Sequence, residues 1–127
     1  MGENMEPDIK FICDTIRQTA YDVHVRFMPG YLEKVYENTL SHRLSKLGLS
    51  VRQQAPIVVR DEDDFVVGEY CADLLVEDCV IVELKAVSAI APIHEMQLVN
   101  YLRATGLRHG MLINFGSEKF QCIKRVV

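Results

Sequence analysis

Between Val80 and Val87 the chain reads VIVELKAV, an apolar run broken only by Glu83 and Lys85. A strand with so few polar positions is covered on both faces, since a half-solvated strand alternates apolar and polar residues. The run therefore belongs in the interior of a sheet that carries helices on both sides. That placement makes the two charges conspicuous. A carboxylate and an ammonium left desolvated and unpartnered cost several kcal/mol each, against the roughly 5–15 kcal/mol that holds a domain together. Each must be paired, hydrated or bound to something.

Side chains alternate along a strand, so Glu83 and Lys85, two residues apart, share a face. Asp73, in the preceding run YCADLLV, can join them there. If Val76 and Val80 close a three-residue loop, Asp73 lies opposite Glu83 and on its face. A two-residue loop of Glu77 and Asp78 pairs Val76 with Cys79 instead and turns Asp73 to the other side. A metal site needs the odd-numbered loop. A structural salt bridge from Lys85 to Asp73 or Glu83 explains the charges equally well at this level.

The flanking pattern supplies the covering helices. Ile9, Ile12, Cys13, Ile16, Ala20 and Val23 recur at spacings of three and four, which predicts a helix over 7–25 with Pro7 in its first turn. After the break at Met28, Pro29 and Gly30, a second helix is expected over 31–47, with Leu32, Val35, Tyr36, Leu40, Leu44 and Leu47 near one stripe and Gly48 as its stop. Ser50 to Arg60 and Phe65 onward read as a hairpin about the acidic turn Asp61 to Asp64. That turn lacks the ligand alternation of a calcium loop and reads as solvated. A third helix runs from Pro92 to about Thr105, with His94, Gln97 and Tyr101 on one side, and strands at Gly110 to Phe115 and Phe120 to Val127 close the chain.

This order fixes a topology. The connection from Val87 through the third helix to Met111 is long enough for a right-handed parallel crossover, and the other joins are antiparallel. The expected α/β fold is a mixed five-stranded sheet in order 1-2-3-4-5, with strands 2 and 5 antiparallel to the rest and Val80–Val87 in the centre.

Composition bounds the function. At 127 residues and 49% hydrophobic, the chain is expected to form one domain over 1–127. Fourteen Lys and Arg against 18 Asp and Glu give a formal charge of −4, so bulk charge does not make it a polycation that coats nucleic acid. The four cysteines have no C-x-x-C spacing and read as reduced core thiols. No apolar run approaches the ~20 residues of a membrane span, and the start MGENMEPDIK has neither a signal-peptide pattern nor a myristoylation motif after Gly2. The expectation is a soluble, cytoplasmic protein with no membrane partner.

Gly30, Glu33 and Tyr36, with YCADLLVED, VELKAV, QLVNYLRATGL and LINFG further on, resemble the GxxExxY family, which is placed in the PD-(D/E)XK nuclease superfamily. The resemblance covers roughly Met28 to Val127. It implies a restriction-endonuclease-like, three-layer α/β/α fold and a metal-dependent nuclease. By matching positions, Asp73 and Glu83 are implied as metal ligands, Lys85 as the catalytic lysine, and Glu33 and Gln97 as further catalytic residues; the carbonyl of Leu84 would add a further oxygen ligand. Tyr101, Tyr36 and His94 stand as supporting residues. The proline that precedes the superfamily's aspartate is replaced here by Ala72.

Hard oxygen ligands of this kind suit Mg²⁺ or Mn²⁺. The implied substrate is nucleic acid, DNA ahead of RNA, and a homodimer is the natural way for so small a domain to present two sites. The competing reading is a catalytically silent module that binds nucleic acid or protein on the same fold. Arg103, Arg108, His109, Lys119, Lys124 and Arg125 are candidates for a phosphate-facing rim.

Overall fold

A computed structural model describes residues 7–127, so the reading of the segment around Gly2 lies outside the described residues. The elements are α1 (Ile9–Phe27), α2 (Glu33–Lys46), β1 (Val51–Arg60), β2 (Val66–Val76), β3 (Val80–Lys85), α3 (Pro92–Thr105), β4 (His109–Asn114) and β5 (Gln121–Val126). The five strands form one sheet in order β1-β2-β3-β4-β5. β3 and β4 are parallel neighbours, and the other three neighbouring pairs are antiparallel.

β3 is buried along its length except at Lys85, as its apolar run requires. On one face Val80, Val82 and Leu84 pack with Ile12, Ile16 and Val23 of α1 and Tyr36, Leu40 and Leu44 of α2. On the other, Ile81 joins Leu75, Leu112 and the α3 residues Leu98 and Leu102. Each fully buried aliphatic side chain contributes about 1.5–3 kcal/mol, so these two clusters clamp the sheet between helical layers. No helix among the described residues is long and apolar enough to cross a membrane.

Several boundaries depart from the periodicity. Pro7 lies outside α1, and Asp8 caps it, its carboxylate accepting from the Phe11 N–H at 3.0 Å and satisfying a donor that has no partner within the helix. α2 starts at Glu33, two residues later than the apolar stripe implies. Tyr31 is held in a bridge with Pro29, and Leu32 is extended. The buried stripe of α2 is also rotated: Glu37 and Ser41 are inside, while Leu32 and Leu47 are exposed. Among the cysteines Cys13 alone is buried, and Cys71 is exposed, because it lies on the part of β2 that projects beyond the core.

The β1–β2 pair contains a reversal that a period-two reading does not foresee. On β1, Val51 packs toward α1 and α2, and the Gln53 amide bonds Glu37 and Asn38 of α2. Ala55 and Ile57, also odd-numbered, pack instead with α3. On β2, Leu74 and Val76 face α1 and α2 while Ala72 faces α3. Both strands thus turn over between Gln53–Leu74 and Ala55–Ala72, where the ladder omits Gln54 and Asp73. The cause is local: Gln54 has a left-handed backbone, φ 53°, in mid-strand. That conformation costs a non-glycine residue on the order of 1–2 kcal/mol.

Candidate active site

The site grows from a fork between β2 and β3. The β2–β3 ladder runs from Val76–Val80 to Leu74–Val82, so the loop is the three-residue one and the next opposed pair is Asp73 and Glu83. Glu77 and Asp78, both left-handed, make its turn, with the Cys79 N–H donating to the Val76 carbonyl. Past Leu74–Val82 the strands separate, and side chains take over the backbone bonding. The Asp73 N–H donates to Glu83 Oε2 at 2.9 Å, and the Leu84 N–H donates to Asp73 Oδ2 at 2.8 Å.

Two carboxylates are thereby held against one another in a poorly solvated place. Glu83 is 4% exposed. Burial, and then the charge of Asp73, push its carboxyl up to about 8. Burial likewise raises Asp73 above the usual carboxylate range. Glu33, the first residue of α2, is raised by burial and next by the Asp73 charge.

The Lys85 charge partly offsets that upward shift, but no side-chain cation among the described residues forms an ion pair with these acids. The ion pairs among the described residues are Lys10–Asp14, Lys34–Glu37, Arg52–Asp78 and Arg125–Glu95. Lys85 shares the face of Glu83, yet its Nζ donates to Gln97 Oε1 at 3.3 Å, and Gln97 Nε2 in turn donates to the Tyr101 hydroxyl at 3.1 Å. The structural salt bridge from Lys85 to Asp73 or Glu83 is not formed. A line of polar groups instead leads from the fork onto α3.

The remaining expected residues divide. Leu84 is buried, and its N–H is engaged with Asp73. His94 lines the same side of α3 but is used at the helix start, where its Nδ1 accepts from the Ala91 N–H at 3.0 Å. Tyr36 is fully buried and stacked on Phe115, 4.8 Å between centroids. Its hydroxyl donates to the Met28 carbonyl at 2.6 Å and accepts from the Tyr31 N–H at 3.2 Å. Gly30 lies in that turn with φ 130°, a conformation L side chains rarely adopt. The Gly30, Glu33, Tyr36 spacing is therefore a turn, the tyrosine that pins it, and an acid fixed at the helix start between them.

Two site residues escaped the sequence. Glu37 is 2% exposed, one turn beyond Glu33 on the inner side of α2. The Gln54 side chain donates from Nε2 to Glu37 Oε1 at 3.0 Å and to Asp73 Oδ1 at 3.3 Å, tying the helix acid to the fork. Glu37 carried a signal, the i, i+4 spacing from Glu33. Gln54 carried none, because nothing marks a glutamine as the point where a strand turns over.

The basic rim does not assemble as one surface: Arg103 shares a cleft with Lys85, while Arg108, His109, Lys124 and Arg125 lie elsewhere. Val80 pairs with His109 and Lys85 with Asn114, so Arg108 and His109 lie about 17 Å along the strands from Lys85 at ~3.3 Å per residue. Lys124 and Arg125 pair with Met111 and Gly110 near that far end, and Arg125 is occupied by Glu95. Near the fork it is Asn114 that organises the chain: fully buried, it bonds both the N–H and the carbonyl of Val87 and so fixes the exit of β3.

The donor chemistry fits a hard divalent cation. Among the described residues no three carboxylate, imidazole or thiol side chains converge as a ready cage. Mg²⁺ does not require one, since it is commonly held by one or two carboxylates with water and substrate phosphate in the other positions. Asp73 and Glu83 are such a pair, and their mutual repulsion is what a cation removes. A sequence model of the PD-(D/E)XK nuclease superfamily matches residues 10–126. No curated protein matches the chain.

Proposed function

The chain belongs to the PD-(D/E)XK nuclease superfamily, and from that premise we propose that it is a metal-dependent phosphodiesterase acting on nucleic acid, with its site at the β2–β3 fork. Members of this superfamily typically use divalent metals, and Mg²⁺ or Mn²⁺ is the proposed ion. The observation that carries the reading is the juxtaposed Asp73–Glu83 pair, Glu83 buried and Asp73 half-buried, with the Lys85 charge near both but in an ion pair with neither. A fold that forces two acids together at that cost, with a lysine on the same face bonded elsewhere, is arranged for a ligand that brings positive charge.

When bound, the ion supplies Lewis-acid polarisation of the phosphate and a more acidic water. Asp73 and Glu83 would hold it, Glu83 with the oxygen that the Asp73 N–H leaves free and Asp73 with a carboxylate already oriented by Gln54 and Leu84, and the Leu84 carbonyl would be the third protein ligand. Lys85 offsets the negative charge that grows on the phosphate oxygens as the bond breaks. Its Nζ is already oriented by Gln97, which Tyr101 fixes in turn. Glu33 orients the attacking water or accepts its proton. Gln54 and Glu37 hold the orientation of Asp73 from behind, a role whose loss typically costs 10–100-fold in metal affinity. Within the superfamily, the turn built by Gly30 and Tyr36 around Glu33 supports placement in the GxxExxY family.

The test is cleavage of single- and double-stranded DNA and RNA in Mg²⁺ or Mn²⁺, with Asp73→Ala and Glu83→Ala as controls. Expected are a metal-induced rise in melting temperature and metal-dependent nicking, both lost in the variants. A protein that shows neither, yet binds nucleic acid in chelator, is the silent binding module.

A further inference from the structure

Where β2 leaves β3, the outer half of the β1–β2 hairpin stands away from the central sheet, and a cleft of about 710 Å³ opens between it and α3. Tyr70 and Gly68 line one wall, Met96, Asn100 and Arg103 the other, and Lys85 lies where the cleft meets the fork. We infer that this cleft binds a single-stranded segment of nucleic acid, one base stacking on Tyr70 and the backbone continuing to Lys85. The inference rests on the nuclease reading of the adjoining site and adds the substrate class: an unpaired strand rather than an intact duplex.

Three observations carry it. The first is the tyrosine. Tyr70 is 51% exposed, and its ring lies over Gly68, where an added Cβ would meet Tyr70 Cε2 at 3.1 Å. Glycine at 68 thus lets the ring lie down along the strand, and its centroid is 5.6 Å from that of Tyr101. An exposed aromatic held flat beside a phosphate-handling site is a stacking platform, and stacking tolerates any base because every base has a π-face.

Charge is the second. In a chain of net charge −4 the cleft is lined by no Asp or Glu, and its formal charges are Lys85 and Arg103. A polyanion meets no carboxylate until it reaches the fork, where Asp73 and Glu83 would hold the metal. The third is size and continuity. The volume falls within the ~300–1,000 Å³ of pockets that enclose a small organic group, which admits a base with its sugar but not a paired helix. Lys85, Gln97 and Tyr101 line the cleft and also form the polar line out of the fork, so cleft and site are one continuous surface. An acidic peptide would match the charge, but it would leave the stacking surface and the join to the carboxylate pair unused.

The experiment is fluorescence anisotropy of the full chain in chelator, using labelled oligonucleotides of about eight nucleotides, as DNA and as RNA, against a duplex of the same sequence and against polyglutamate. Single-strand binding at least ~10-fold tighter than duplex binding, with either sugar, is expected. Tyr70→Ala should weaken it by roughly 10-fold and Tyr70→Phe should restore it, as a stacking contact requires. Arg103→Ala should weaken it and lower its salt dependence by about one ion. Both side chains are exposed, so the variants keep the core. Equal affinity for duplex, indifference to Tyr70→Ala, or preference for polyglutamate overturns the inference. Metal-dependent cleavage that ignores Tyr70 overturns it while leaving the nuclease reading in place. Tyr70-dependent single-strand binding without cleavage in Mg²⁺ or Mn²⁺ sustains the inference and removes the nuclease reading.

Discussion

Asp73 and Glu83 are joined through the main chain: the Asp73 amide donates to the Glu83 carboxylate at 2.9 Å, while the carboxylate of Asp73 is held by the amide of Leu84 at 2.8 Å. Each acid is thus fixed in place by a neutral donor, which orients it without discharging it. A cation arriving there meets carboxyls already oriented and displaces the proton that Glu83 holds below about pH 8.

Proton release from Glu83 sets the first prediction. The group ionises near 4.5 in the unfolded chain and near 8 in the folded protein, because of burial and then the charge of Asp73. Between those values the folded protein holds a proton that the unfolded chain has released, so metal-free stability falls as pH rises from about 4.5 to about 8 and is flat outside that window for this group. Asp73 and Glu33, also raised, act with the same sign. Thermal melts in chelator should show Glu83→Gln exceeding wild type by roughly 5 °C or more at pH 8 and matching it near pH 4.5. Parallel curves for the two proteins would refute the buried, uncompensated carboxylate.

Lys85 separates binding from chemistry. Its Nζ bonds Gln97 and neither carboxylate, so its truncation leaves the hydrogen bonds that orient Asp73 and Glu83 in place. Lys85→Ala should keep the Mg²⁺-induced rise in melting temperature while cleavage falls about 10²–10⁴-fold. Loss of both together would mean that Lys85 supports the fold of the site and not its reaction.

Gln54 combines a strained backbone with a useful side chain. Gln54→Gly relieves the φ of 53° but removes the amide between Glu37 and Asp73. Melting temperature in chelator should stay level or rise, because up to ~1–2 kcal/mol of strain offsets the lost hydrogen bonds. Metal affinity, read by titration, should drop about 10-fold or more. A variant that loses stability and retains metal affinity contradicts the positioning role.

Tyr36→Phe tests the turn before α2. The missing hydroxyl removes the hydrogen bonds to the Met28 carbonyl and from the Tyr31 N–H, at about 0.5–1.5 kcal/mol each. Expected are a fall in melting temperature and a larger fractional fall in cleavage than the stability change explains, since Glu33 is positioned by that turn. Equal activity at a temperature where both proteins are folded would remove Glu33 placement from the role of Tyr36.

The chain order, the interior position of β3 and the face shared by Glu83 and Lys85 were legible in the residues. They follow from period two in strands and period 3.6 in helices, and these are local properties written into the order of apolar and polar side chains. The choice between the two loop lengths was not legible. Both are stereochemically available to VEDCV, and packing of Leu74 and Val76 against the helical layer selects one.

What tertiary structure alone decided is the turning over of β1 and β2 at Gln54 and Asp73, and with it the burial of Glu37, the fork at the carboxylates and the cleft beside Tyr70. A glutamine has no intrinsic preference for a left-handed backbone, so no pattern announces the reversal. It persists because Ala55, Ile57 and Ala72 gain the apolar surface of α3 on one side of the turn while Val51, Leu74 and Val76 keep that of α1 and α2 on the other. Burial on two faces outweighs the strain of one residue, and that balance exists only once both helical layers are in place.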